Sequence, residues 1–83
     1  MKLVYFASLR ERLGTGGETR DIPADVATVG DLMTWLKGQD EAYAAAFEDG
    51  AKVRAAVDQV HAKPETLLAN AREVAFFPPV TGG

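Results

Sequence analysis

Glu73-Val74-Ala75-Phe76-Phe77-Pro78-Pro79-Val80-Thr81-Gly82-Gly83 is the stretch whose reading decides the fold. Its first five residues alternate, sending Val74 and Phe76 one way and Ala75 and Phe77 the other, which predicts a strand apolar on both sides. Pro78 and Pro79 fix φ near about −65° and favour an extended polyproline path, so the chain leaves the strand in a restricted direction. Gly82 and Gly83 have no Cβ and leave the backbone of the tip its widest conformational freedom. The stem is stiff and its tip free.

At the other end of the chain, Lys2 to Ala7 (KLVYFA) reads as a central strand, buried on one face and largely covered on the other. Ser8 to Leu13 follows as a capped, brief helical turn, and Gly14 to Gly17 supplies a reversal. Glu18 to Ile22 returns as a second strand ended by Pro23. Thr28 and Asp31 form a capping box, with Asp in place of the usual Glu, before a helix from Val29 to Lys37. Val29, Leu32, Met33 and Leu36 make its sheet-facing stripe, Trp35 sits at the edge, and Asp31, Thr34 and Lys37 face water.

Gly38 ends that helix, and Glu41 to Phe47 predicts a short second one with Tyr43 and Phe47 one turn apart. Asp49-Gly50 signals a turn, after which Lys52 to Val60 predicts one strand with Val53, Ala55 and Val57 on a common side. Leu67 and Leu68 stand in a polar connection that a buried leucine would pin to the core. The order strand, strand, helix, strand, final strand gives an α+β plan: a mixed sheet with helices packed on one face. Two terminal strands side by side in its centre would make it a β-grasp. Periodicity alone leaves a ferredoxin-like arrangement open.

A chain of 83 residues has room for one core and not for two, and burial at this size leaves a narrow stability margin that a partner would widen. The formal charge of −3 gives no broad attraction to phosphate backbones, so nucleic acid is not expected as a partner. No apolar run approaches a membrane span, and Met1-Lys2-Leu3 enters a strand without a signal-peptide layout, which makes the cytoplasm the expected location. With no cysteine and one histidine, the chain has little material for a metal site, a thiol nucleophile or a charge-relay triad. Gly14 to Gly17 lacks the Lys-Ser/Thr and the long helix of a phosphate-binding loop and is read as a turn.

The last eleven residues resemble the C-terminus of the small subunits of molybdopterin synthase. The resemblance extends upstream through Leu3 to Arg10 (LVYFASLR) with Glu11, Thr28-Val29, Glu48-Asp49-Gly50 and Ala55-Ala56-Val57-Asp58-Gln59, in order along most of the chain. It implies a ubiquitin-like β-grasp domain over residues 1–77 and an extended, flexible C-terminal tail over 78–83. It further implies that Gly83 is adenylated by an ATP-using activating enzyme and converted to a thiocarboxylate. Sulfur then passes to a cyclic pyranopterin phosphate in the large synthase subunit, within a heterotetramer that holds two carriers. Lacking any thiol for a persulfide, such a chain would hold sulfur on its terminal carboxyl group.

Under this resemblance Gly83 and Gly82 are the reacting end, while Pro78, Pro79, Val80 and Thr81 thread the partner. Phe6 and Phe77 are either ordinary core residues or parts of an exposed apolar patch on the sheet face away from the helices; alternation sets Phe6 opposite Leu3 and Tyr5 and favours the patch. His61 is read most simply as a solvated imidazole, with a place beside that patch as the second reading. It departs from relatives that often carry an apolar residue there. Arg10 and Arg72 are surface charges that become polar rim contacts if the patch is an interface. Asn70 stands where many relatives have glycine and tolerates positive φ. No cofactor is expected to bind stably, and ATP belongs to the activating enzyme. A ubiquitin-like modifier forming isopeptide bonds, a sulfur carrier for thiamine, tRNA or cysteine synthesis, and a non-covalent interaction module are the alternatives.

Overall fold

The structure is a computed structural model that describes residues 1–48 and 52–78. Five strands form one mixed sheet: β1 (Lys2–Tyr5), β2 (Gly17–Thr19), β3 (Arg54–Val57), β4 (Val60–Ala62) and β5 (Glu73–Phe77), in spatial order β2-β1-β5-β3-β4. β1 and β5 are parallel and adjacent, with Leu3 opposite Val74 and Tyr5 opposite Phe76, while all other pairs are antiparallel. The two terminal strands are therefore side by side inside the sheet. This is the β-grasp, and it excludes the ferredoxin-like alternative.

Three helices, α1 (Ala7–Leu13), α2 (Val29–Lys37) and α3 (Glu41–Ala46), share a single core with one sheet face. Leu3, Tyr5, Ala55, Val74 and Phe76 supply the sheet side; Leu9, Leu32, Leu36 and Phe47 answer from the helices. The capping box opens α2 as expected, with Thr28 Oγ1 accepting from Asp31 N at 3.1 Å and Asp31 Oδ2 accepting from Thr28 N at 3.2 Å. Val29, Leu32, Met33 and Leu36 are buried along the predicted stripe. Asp40 caps α3 by accepting from the backbone N–H groups of Ala42 and Tyr43.

Several boundaries differ from the sequence reading, each for a local reason. β1 stops at Tyr5 instead of Ala7, because Phe6 becomes the N-cap of α1 and Ala7 turns the chain with φ of +51°. Ser8 lies within the helix and does not cap it. β2 is shorter than Glu18 to Ile22. Its ladder ends at Thr19 opposite Lys2, and just beyond it Arg20 and Met1 exchange backbone bonds of 3.0 Å in both directions. The strand expected over Lys52 to Val60 is a hairpin, broken by Asp58 and Gln59 at φ of +48° and +70°. Asp58 is held there by accepting from the N–H groups of Arg72 and Glu73 at 2.9 and 3.0 Å. Leu68 pins its loop, while Leu67 is 66 % exposed. Asn70 adopts φ of +65°, as its side chain permits. The expected turn at Asp49-Gly50 lies outside the described residues.

One polar cluster along the β2 edge was not read from sequence. Glu18 Oε2 accepts from Tyr5 Oη at 2.8 Å and from Tyr43 Oη, and Glu18 Oε1 accepts from Arg20 Nε at 2.9 Å. The Arg20 guanidinium also stacks over the Tyr43 ring at 4.8 Å. Burial works to raise the Glu18 carboxyl pKa, but the bonds from Tyr43, Tyr5 and Arg20 outweigh it and hold the group below its ordinary 4.5. A carboxyl depressed on folding stabilises the fold above its unfolded pKa, and that contribution disappears as pH falls through the folded value. The melting temperature of Glu18→Gln is therefore expected to lie below that of the wild type at neutral pH and to converge with it on acidification below 4.5. Parallel curves across that range would exclude the carboxylate as the source.

Candidate functional site

The architecture places β5 between β1 and β3 and directs it out of the sheet at Phe77. The last bond of the β1 side runs from Phe6 N to Phe76 O at 3.1 Å, and Pro78, with no N–H to donate, cannot extend the ladder. The exit is anchored immediately upstream by Phe76, which is fully buried and stacks edge-on against Phe47 at 5.1 Å. Pro78 leaves beside a groove of about 600 Å³ lined by Ser8, Leu9, Arg12, Ala45 and Val53. Arg12 donates to Ala45 O at 3.0 Å across that groove and ties α1 to α3. Pro79, Val80, Thr81, Gly82 and Gly83, all named as site residues from sequence, lie outside the described residues.

The opposite sheet face carries the side chains that alternate away from the core. Phe6 is 50 % exposed, and Phe77 is half-buried with Arg54 as its cross-strand partner. His61 packs its ring edge-on to Phe77, with centroids 5.8 Å apart, and stands opposite Ala56 on the edge strand β4. The exposed imidazole thus stands at the margin of the apolar surface, a place that both of its readings allow. Val4 and Ala75 are cross-strand partners on the same face, between Phe6 and the Lys2–Glu73 ion pair of 3.9 Å. The result is an apolar centre with a charged margin, the composition of a docking surface.

Arg10 lies one helical turn beyond Phe6, its backbone N–H donating to Phe6 O at 3.5 Å, and its exposed side chain lies beside the Gly14–Gly16 turn. Arg72 is set apart from the tail. It precedes β5, six residues from Pro78, which at roughly 3.3 Å per residue is about 20 Å away. Its backbone N–H is engaged by Asp58. Sequence reading did not single out Arg54, because its position opposite Phe77 follows only from the β3–β5 register. Among the described residues there is no group of three His, Cys, Asp or Glu side chains able to hold a metal ion, and no helix is long and apolar enough to cross a membrane.

A β-grasp body whose central last strand feeds directly into a prolyl exit defines a ubiquitin-like protein. Residues 3–83 match the model of the ThiS family, and the chain belongs to that family. It is 42 % identical to the molybdopterin synthase sulfur carrier subunit of Escherichia coli (strain K12), over all of this chain and 99 % of that protein. The molybdopterin synthase sulfur carrier subunit of Haemophilus influenzae is 34 % identical over the same shares. Among solved structures, the crystal structure of small archaeal modifier protein 1 from Haloferax volcanii superposes with a TM-score of 0.72 at 29 % identity, covering 96 % of this chain and 97 % of that one.

Proposed function

We propose that the chain is the sulfur carrier subunit of molybdopterin synthase and that Gly83 is the group it carries sulfur on. The full-length relation to two sulfur carrier subunits, running through the last residue, carries this reading. A carboxylate is a poor electrophile, so the Gly83 carboxylate first attacks the α-phosphorus of ATP on an activating enzyme and pyrophosphate leaves. Hydrosulfide then attacks the acyl carbon and AMP departs, leaving a thiocarboxylate. In the large subunit two sulfurs, each from one thiocarboxylated carrier, pass in succession to a cyclic pyranopterin monophosphate to build the dithiolene, and water restores the carboxylate oxygen of each carrier. The carrier supplies the acyl group and the docking face. Acid and base belong to the two enzymes, so the chain is not expected to act alone.

Phe6, Phe77, His61 and Arg10 are proposed as the surface that meets the large subunit, with Pro78, Pro79, Val80 and Thr81 leading the end into its pocket. Arg72, at the far end of β5, is left for contacts away from the tail exit. Protein purified from cells with an intact activating system is expected to contain a species heavier by one oxygen-to-sulfur exchange, mapped by fragmentation to Gly83. The likeness to an archaeal modifier protein supports a second reading, transfer of Gly83 to a lysine amine. Isopeptide-linked conjugates without the exchanged species would favour that reading and reject the first.

A further inference from the structure

Arg54, His61 and Lys63 stand together at one corner of the outer sheet face. Arg54 is the cross-strand partner of Phe77, and His61 that of Ala56, two residues along the same side of β3. Lys63 is the first residue after β4, whose pairing with β3 ends at Ala62 opposite Ala55, and it lines one cavity together with Arg54 and His61. All three side chains are exposed. Neither Arg54 nor Lys63 makes an ion pair among the described residues.

A cationic corner is unexpected on a chain of net charge −3. Neighbouring like charges on one sheet face repel, and no carboxylate among the described residues relieves them by an ion pair. The corner also adjoins the apolar centre directly, since Phe77 touches His61 and pairs with Arg54. We infer that it receives an acidic segment of the large subunit, and that this contact fixes orientation and selects the cognate partner. The inference rests on the proposed docking of that subunit to this face. Carboxylates on the partner would find two unpaired cations together at this corner, beside the apolar centre. Rim charges of this kind act through encounter rate and discrimination, while the apolar centre holds the complex together.

The test measures association and dissociation rates of the full-length carrier with its cognate large subunit, for the wild type, Arg54→Glu/Lys63→Glu and Phe6→Asp. Both variants change exposed side chains, and aspartate is a favourable N-cap at the start of α1. The double reversal is expected to slow association at least about tenfold at low ionic strength, with little change in dissociation. At about 1 M salt, where the screening length is roughly 3 Å, it is expected to match the wild type. Wild-type association by the double reversal at low salt overturns the inference and leaves the docking reading standing if Phe6→Asp abolishes binding. Undiminished binding by Phe6→Asp overturns the docking reading and the inference with it.

Discussion

Deletion of Gly83 is expected to abolish molybdopterin formation in a reconstituted synthase while leaving the folding midpoint of the carrier unchanged. The two halves of this expectation rest on different parts of the molecule. The core is built from residues between Leu3 and Phe76, and the β5 ladder reaches no further than Phe77, so removing residue 83 takes nothing from the packing described above. The chemical effect is expected to be total because, in the proposed chemistry, the deleted residue supplies the reacting carbonyl carbon. Gly82 would then present its carboxylate one residue short, a displacement of roughly 3.3–3.6 Å in an extended chain, and misplacement by about 1 Å already costs around 10²-fold in a positioned reaction. The discriminating companion is a C-terminal amide on intact Gly83, which keeps the length and removes the carboxylate. Loss of sulfur transfer in both, with unaltered denaturation curves, is the expected pair of results. Cofactor production by the amide form would remove the basis of the proposed chemistry.

The parts of this fold that could be read from sequence are those whose determinants are close together in the chain. α2 was legible from end to end because the capping pair Thr28 and Asp31 and the stripe Val29, Leu32, Met33 and Leu36 are all within three turns. β5 was legible because its alternation needs only five residues. The hairpin between β3 and β4 was not. Asp58 and Gln59 form a left-handed turn without glycine, and what holds Asp58 is a bond to backbone amides fourteen and fifteen residues away. Parallel pairing of β1 with β5 has no periodic signature either and came from the family resemblance, now matched by the register. The candidate site divides in the same way. Phe6 was legible as a side chain that alternation sends away from the core, but the place of His61 and the charged corner needed the strand register. The Glu18 cluster needed β1, β2 and α3 in place together.

Phe76→Ala is expected to be the most destabilising of the single substitutions considered, because this residue joins the stability of the fold to the direction of the tail. Its ring is fully buried, stacks on Tyr5 at 6.3 Å and meets Phe47 edge-on at 5.1 Å, so its removal leaves two other rings with an unfilled face. Truncating a buried phenylalanine costs about 3–5 kcal/mol, whereas a domain of this length has a total stability of about 4–12 kcal/mol. The isolated variant should therefore lose most of its margin in a urea titration, and Phe76→Leu, which keeps more of the volume, should lose less. A partner that binds only the folded state restores about 2.7 kcal/mol at a concentration about 100 times its Kd. Sulfur transfer by Phe76→Ala is accordingly expected to recover as the large subunit is raised, which distinguishes a folding defect from loss of the reacting group, where no concentration of partner helps. A stability within about 1 kcal/mol of wild type would mean that the three rings are not the keystone of this core, and that some other contact holds β5 while its end is engaged.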